Sequence, residues 1–251
     1  MARTGQNAGE LKVVADPAAL YAEGAQEFTR SAESAIARRG RFSVALSGGN
    51  TPRGVYSLLA EQAKVALAWD KIYVFFGDER SVPPDNPDSN YRMARESLLS
   101  KVPIPAGNVF RVAAELPPDQ AADQYEHQIR EFFHLTSDSW PRFDLILLGI
   151  GECGHTASLF PASKALEEHS KLVVANWVEK FSTYRITFTY PVLNHAQEVS
   201  FLVSGQGKAE ILRDIFDPST KNSYPAQAVR PETGRLLWIV DRDAAGLLDG
   251  T

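Results

Sequence analysis

The sequence predicts an α/β layered fold built on a mostly parallel sheet, and three observations predict it. Short apolar runs alternate with amphipathic helical stretches along the 251 residues. One run, FDLILLG over 143–149, is apolar almost throughout, as a central strand covered on both faces must be. Each glycine-rich or charged loop that stands out follows the carboxyl end of a predicted strand, the edge at which open parallel sheets bind ligands.

In order along the chain, residues 1–10 read as a flexible tail and 11–251 as a single domain. Asp16 caps a first helix and Pro17 suits its first turn. Leu20, Ala25, Phe28, Ala32 and Ile36 share one face of it, and Gly40 ends it. A strand over 41–46 (RFSVAL) leads into the loop SGGNTP, where Pro52 opens a second helix with Val55, Tyr56, Leu58 and Leu59 available for burial. A strand over 71–76 (KIYVFF) runs into GDER. Next come a loop rich in Pro, Asn and Asp (82–90), a helix over 91–100, a short strand at 108–112 and a surface helix over 118–134. Beyond the strand at 143–149 lie strands near 171–175, 185–190, 198–204 and 235–240, and a helix over 206–216 that starts in SGQGK.

Composition narrows the function classes. Apolar residues make up 44% and charged ones 23%, as in an ordinary globular chain. The net charge of -5 gives no pull toward nucleic acid or an anionic membrane, so an anion must be held by a local basic pocket. The one cysteine, Cys153, rules out an intrachain disulfide and fits a reducing compartment. The first residues lack the apolar centre of a signal peptide, and the longest apolar runs are too short to span a bilayer. A cytoplasmic protein acting on a small molecule, as a monomer or weak homo-oligomer, is the expectation.

Four segments carry candidate chemistry. In Ser47-Gly48-Gly49-Asn50-Thr51-Pro52, two glycines between a strand and a helix let backbone amides approach a ligand. The helix N-terminus and two hydroxyls complete a setting for phosphate, although a plain strand-to-helix turn has the same composition. In Gly77-Asp78-Glu79-Arg80, acids and an arginine at a strand end can orient sugar hydroxyls and counter an anion, or form a surface ion-pair cluster. GIGECGHTASLFP (149–161) contains G-x-G-x-x-G at Gly149, Gly151 and Gly154. It comes too late in the chain, and without an acid ending the next strand, to bind a dinucleotide. Those glycines make a loop that presents His155, which can take a proton from water or can brace the loop through its own hydrogen bonds. Arg185 and Lys208 could each pair with a phosphate or stay in solvent. Cys153 as a nucleophile is disfavoured, since neighbours in sequence need not face each other. The five histidines lack the spacing of a zinc site.

Taken together, in order and spacing, SGGNTP, GDER with DSNY, GHTASLFP, RITFTYPVLN, SGQGK, YPAQAV and LLWIVDRDAA resemble the 6-phosphogluconolactonase family. That family sits within a wider group that includes glucosamine-6-phosphate deaminases, and the resemblance runs from about residue 11 to 248. It implies a NagB/Rossmann-like, doubly wound fold with helices on both faces, and hydrolysis of 6-phosphoglucono-δ-lactone in the oxidative pentose phosphate pathway. It implies no metal and no organic cofactor. By analogy Ser47, Gly48, Gly49, Asn50 and Thr51 touch substrate, Arg185 and Lys208 hold the phosphate, and Asp78 and Arg80 line the sugar site, with Arg80 also a candidate oxyanion donor. His155 is the general base. The family usually reads G-x-x-D-G-H, and here Cys153 replaces the acid, which raises the alternative of a catalytically weak sugar-phosphate binding protein. In the deaminase branch a Glu stands five residues after the His; here that residue is Phe160.

Overall fold

The computed structural model describes residues 3–5, 9–63, 66–137, 139–217, 219–220 and 224–248. Its strands are β1 (Arg3–Gly5), β2 (Gly9–Val14), β3 (Phe42–Leu46), β4 (Ile72–Phe76), β5 (Asp78–Arg80), β6 (Leu145–Leu148), β7 (Val173–Val178), β8 (Thr183–Phe188), β9 (Glu198–Val203) and β10 (Arg235–Asp241). Its α-helices are α1 (Pro17–Arg39), α2 (Asn50–Gln62), α3 (Asn90–Ala94), α4 (Pro118–Phe133), α5 (Tyr190–Asn194) and α6 (Ala209–Phe216).

The main sheet runs β1-β2-β10-β9-β6-β3-β4. Every neighbouring pair from β2 to β4 is parallel, and only β1 is antiparallel. Alternation along the central strands divides the core. Leu145 and Leu147 of β6 pack with α1 and α2 on one face. Ile146 and Leu148 face the other cluster, which holds Tyr125 and Ile129 of α4 and Leu212 of α6. The doubly wound expectation holds, and FDLILLG is indeed the strand buried on both sides. The first helix also keeps its predicted ends. The Asp16 side chain accepts from Ala19 N at 2.9 Å, and Gly40 closes the helix in the left-handed region at φ 72°. No helix among the described residues is long and apolar enough to cross a membrane.

Three expectations are corrected. The segment 1–10 is not all tail: Arg3–Gly5 pairs with the start of β2, an edge strand whose short run gave no periodicity to read. The strand at 108–112 is only a bridge between Val109 and Val74, with Phe110 N donating to Val74 O at 2.8 Å. The helix over 91–100 is α3 followed by a π turn over Arg95–Leu99. The strands near 171–175 and 185–190, moreover, leave the main sheet. As β7 and β8 they join β5 in a separate antiparallel sheet, β5-β8-β7.

That second sheet positions the site. The chain leaves β3 toward the β4 edge of the main sheet, whereas β6 lies on the other side of β3. The carboxyl ends of β3 and β6 therefore flank a topological switch point, where a crevice opens. β5 leaves the end of β4 directly and brings β8 over the crevice.

Candidate active site

The crevice is a small cavity of ≈ 140 Å3 lined by twelve residues from the loops after β3 and β6, from strands β5 and β8, and from the start of α3. Ser47, Gly48 and Gly49 come from the end of β3, Asp78 and Arg80 from β5, His155 from the loop after β6, and Arg185 from β8. Seven of the residues expected from the sequence thus meet in one place. Asn50 and Thr51 begin α2 and Lys208 ends the turn before α6, and all three fall outside the lining. Lys208 still acts on the site through its charge, which disfavours protonation of His155. Asn90, Ile150 and Ala157 also line the cavity, and sequence reading did not single them out.

The β3 loop is built for close approach. Gly49 adopts φ 103°, and no side chain caps the N-terminus of α2 behind it. A Cβ on Gly48 would lie 1.9 Å from Asn90 Oδ1, so only glycine lets Asn90 stand there. Ser47 is buried, and its backbone N and O both bond the Tyr56 hydroxyl, at 3.0 and 2.9 Å.

The GDER acids have separate tasks. Glu79 is structural: it accepts from the backbone of Arg80, Asn90 and Tyr91 at 2.8, 2.7 and 2.8 Å and from Ser89 Oγ at 3.1 Å, which ties β5 to the start of α3. Burial pushes its carboxyl up, and those donors oppose the shift. Asp78 faces the cavity, with one oxygen accepting from Ser158 Oγ at 2.7 Å and the other from Asn90 Nδ2 at 3.3 Å. Asn90 Nδ2 also donates to Asp78 O at 2.9 Å, so its side chain bridges the β3 loop and β5.

Two arginines confront each other. Arg80 and Arg185 are register partners on β5 and β8. One nitrogen of Arg80 donates to Asp88 O at 2.5 Å, and Arg185 sits 5.2 Å from the Phe181 ring centroid. Burial, and after it the charge of Arg80, pulls the Arg185 value down, the mark of a cation short of counter-charge. The Ser47 hydroxyl and both arginine Nε atoms are buried with no partner among the described residues.

The loop after β6 holds His155 firmly. Gly151 N donates to His155 O at 2.9 Å, and a Cβ on Gly151 would lie 1.8 Å from the imidazole Cε1, so the ring lies flat over that glycine. Gly154 turns the chain at φ 73°, and Tyr224 and the Ala226 amide, bonded to Gly154 O at 3.0 Å, pack against it. Phe160 stacks on the imidazole with centroids 3.9 Å apart. Cys153 Sγ lies 3.1 Å from His155 Nδ1, so these two neighbours, which need not have met, do face each other. Burial lowers the His155 value to about 4; Lys208, Arg185 and Lys180 push the same way and Asp78 opposes them. His155 is therefore a neutral imidazole at neutral pH, able to accept a proton.

At the Lys208 loop, the buried Asp241 accepts from Gly205 N at 3.0 Å and Ser204 Oγ at 2.5 Å, so the terminal VDRDAA segment anchors SGQGK. Among the described residues no group of three His, Cys, Asp or Glu side chains is placed to hold a metal ion.

The chain is similar to known proteins in sequence and in fold. The family model for glucosamine-6-phosphate isomerases/6-phosphogluconolactonase matches residues 15–238. A 6-phosphogluconolactonase of Synechocystis is 46% identical over 212 residues, covering 84% of this chain and 86% of its own. The human 6-phosphogluconolactonase is 39% identical over 251 residues, covering 96% and 94%. A solved 6-phosphogluconolactonase from Trypanosoma brucei superposes with a TM-score of 0.85 at 29% identity, over 95% of this chain and 98% of that one. With the site formed by the segments that carried the resemblance, the chain belongs to the glucosamine-6-phosphate isomerase/6-phosphogluconolactonase family.

Proposed function

We propose that the protein hydrolyses 6-phosphoglucono-δ-lactone to 6-phosphogluconate, with His155 as general base. One observation carries this reading: a neutral, half-buried imidazole shares a cavity with three buried polar groups that lack partners among the described residues, Ser47 Oγ, Arg80 Nε and Arg185 Nε. Buried donors are rarely left unpaired, and here they wait on a ligand rich in oxygen and negative charge. Relatives named for this activity over nearly the full chain support the same substrate.

The steps follow from the residues. Arg185, with Lys208 beyond the lining, holds the phosphate, and the unfilled amides at the start of α2, with Asn50 and Thr51, assist. Asp78 and Asn90 accept and donate to sugar hydroxyls. Phosphate binding fixes the lactone carbonyl near His155. The imidazole takes a proton from water as the water oxygen bonds to C1, and the carbonyl electrons move onto oxygen. Arg80 stabilises that oxyanion. Collapse breaks the bond from C1 to the ring oxygen, which leaves with the proton from the imidazolium.

Phe160 favours this reading over deamination. The position that carries a Glu in the deaminase branch places an aromatic ring against the imidazole. Lactone opening, measured with freshly made lactone and compared with the spontaneous rate, tests the proposal. Release of ammonia from glucosamine 6-phosphate would point to the deaminase instead.

A further inference from the structure

We infer that Cys153 is the positioning partner of His155: its sulfur accepts a hydrogen bond from Nδ1–H, which keeps that proton on Nδ1 and the lone pair on Nε2. The inference rests on His155 being the base. The sulfur lies 3.1 Å from Nδ1, while Nε2 makes no hydrogen bond among the described residues. An imidazole works as a base only at the nitrogen without hydrogen, so whatever accepts from Nδ1 selects the working tautomer.

The rest of the loop packs around the ring beside the sulfur. Phe160 stacks on the imidazole and the bare Cα of Gly151 lies close against it, which limits tilting of the ring. The left-handed turn at Gly154 brings side chains 153 and 155 together. Cys153 and Phe160 also line a second, larger cavity of ≈ 800 Å3.

A thiol differs from a carboxylate in this place. Both can accept a hydrogen bond from Nδ1–H, but a neutral thiol adds no charge to stabilise the imidazolium. The charged groups acting on His155 are Asp78 on β5, Arg185 on β8, Lys180 in the turn after β7 and Lys208 before α6, three cations against one anion. Cys153 therefore orients the ring while leaving it hard to protonate.

The test compares Cys153→Ala, Cys153→Ser, Cys153→Asp and His155→Ala with the wild type, reading kcat, KM and the acid limb of kcat/KM. In Cys153→Ala, kcat falls roughly tenfold, the size of one neutral hydrogen bond, with KM unchanged. Cys153→Ser restores most of the loss. In Cys153→Asp the acid limb moves up by about one pH unit or more, since a carboxylate now faces the ring. Wild-type kcat in Cys153→Ala would overturn the inference. So would a loss that neither Ser nor Asp repairs, because Cys153 would then only fill space. Turnover surviving in His155→Ala would instead remove the base on which the inference rests.

Discussion

Arg80 and Arg185 stand directly opposite each other across the antiparallel pair β5 and β8. Directly opposed residues share one face of a sheet, and like charges there repel. The cost is higher because both Nε atoms are buried without partners. A phosphate held by Arg185 supplies the missing counter-charge through a charge-assisted bond and relieves that repulsion. Inorganic phosphate is therefore expected to raise the thermal midpoint of the wild type, by up to about 2.7 kcal/mol at a hundredfold excess over Kd. Arg185→Gln should abolish that rise without lowering the ligand-free midpoint, and should raise KM roughly 30-fold, about 2 kcal/mol. Thermal melts with and without phosphate check both outcomes.

Burial of His155 makes a prediction about pH. Its value drops from 6.5 to about 4, so the folded state binds fewer protons than the unfolded chain between those values. Stability contributed by this group then rises with pH from 4 to 6.5 and is flat above. Catalytic competence of the free enzyme follows the neutral imidazole, so kcat/KM should hold down to about pH 5 and fall near 4. His155→Ala should lose roughly 100-fold or more in kcat while still binding 6-phosphogluconate. A pH–rate profile and a product-binding titration test this pair of statements.

Gly151 offers a sharper structural test. The Cβ of Gly151→Ala would lie 1.8 Å from the imidazole, so the ring must move. A displacement of about 1 Å at the base costs on the order of 100-fold in turnover. Folding should survive, because the atom in the way belongs to a partly exposed side chain. Circular dichroism beside initial rates separates the two effects.

Much of this was legible in the sequence, and particular residues show why. Asp16 and Gly40 mark helix ends by local chemistry, and the apolar run at β6 reports burial on both faces. Ser47, Asp78, Arg80, His155 and Arg185 could be named because each lies in a short distinctive segment at a strand end. Asn90 could not be placed in the cavity: its side chain reaches Asp78 and the space above Gly48 through contacts that exist only once β5 and α3 have folded together. The pairing of β5 with β8 was also hidden, since β5 has only three residues and its partner lies more than a hundred residues away. The distance of Lys208 from the lining depends on how Asp241 anchors its loop.

At the opposite edge of the sheet, α1 and the starts of β9 and β10 bury two carboxylates, Glu27 and Glu198, against Arg30 and Arg235. Burial, and then its neighbour Glu27, raises Glu198 to about 7, while Glu27 is held low at about 2 by bonds to its partners despite burial. A raised acid stabilises the fold below its unfolded value of 4.5, and that contribution fades as pH climbs through about 7. Wild-type protein should therefore lose this contribution between pH 4.5 and about 7, with no further loss above, and Glu198→Gln should flatten the loss. Glu27→Gln leaves the arginines short of a partner and should cost about 2 kcal/mol near neutrality, discounted because both arginines reach solvent. Chemical denaturation at several pH values reads both.

The most direct measurement is the rate of 6-phosphoglucono-δ-lactone opening at pH 7, with lactone generated in place, in wild type and His155→Ala. The expected result is a large acceleration over spontaneous opening in the wild type and its near-complete loss in the variant, with both proteins binding 6-phosphogluconate. Opening at the spontaneous rate in a wild type that binds the product would contradict it, and would make the protein a sugar-phosphate binder with Cys153 the first residue to revert to Asp.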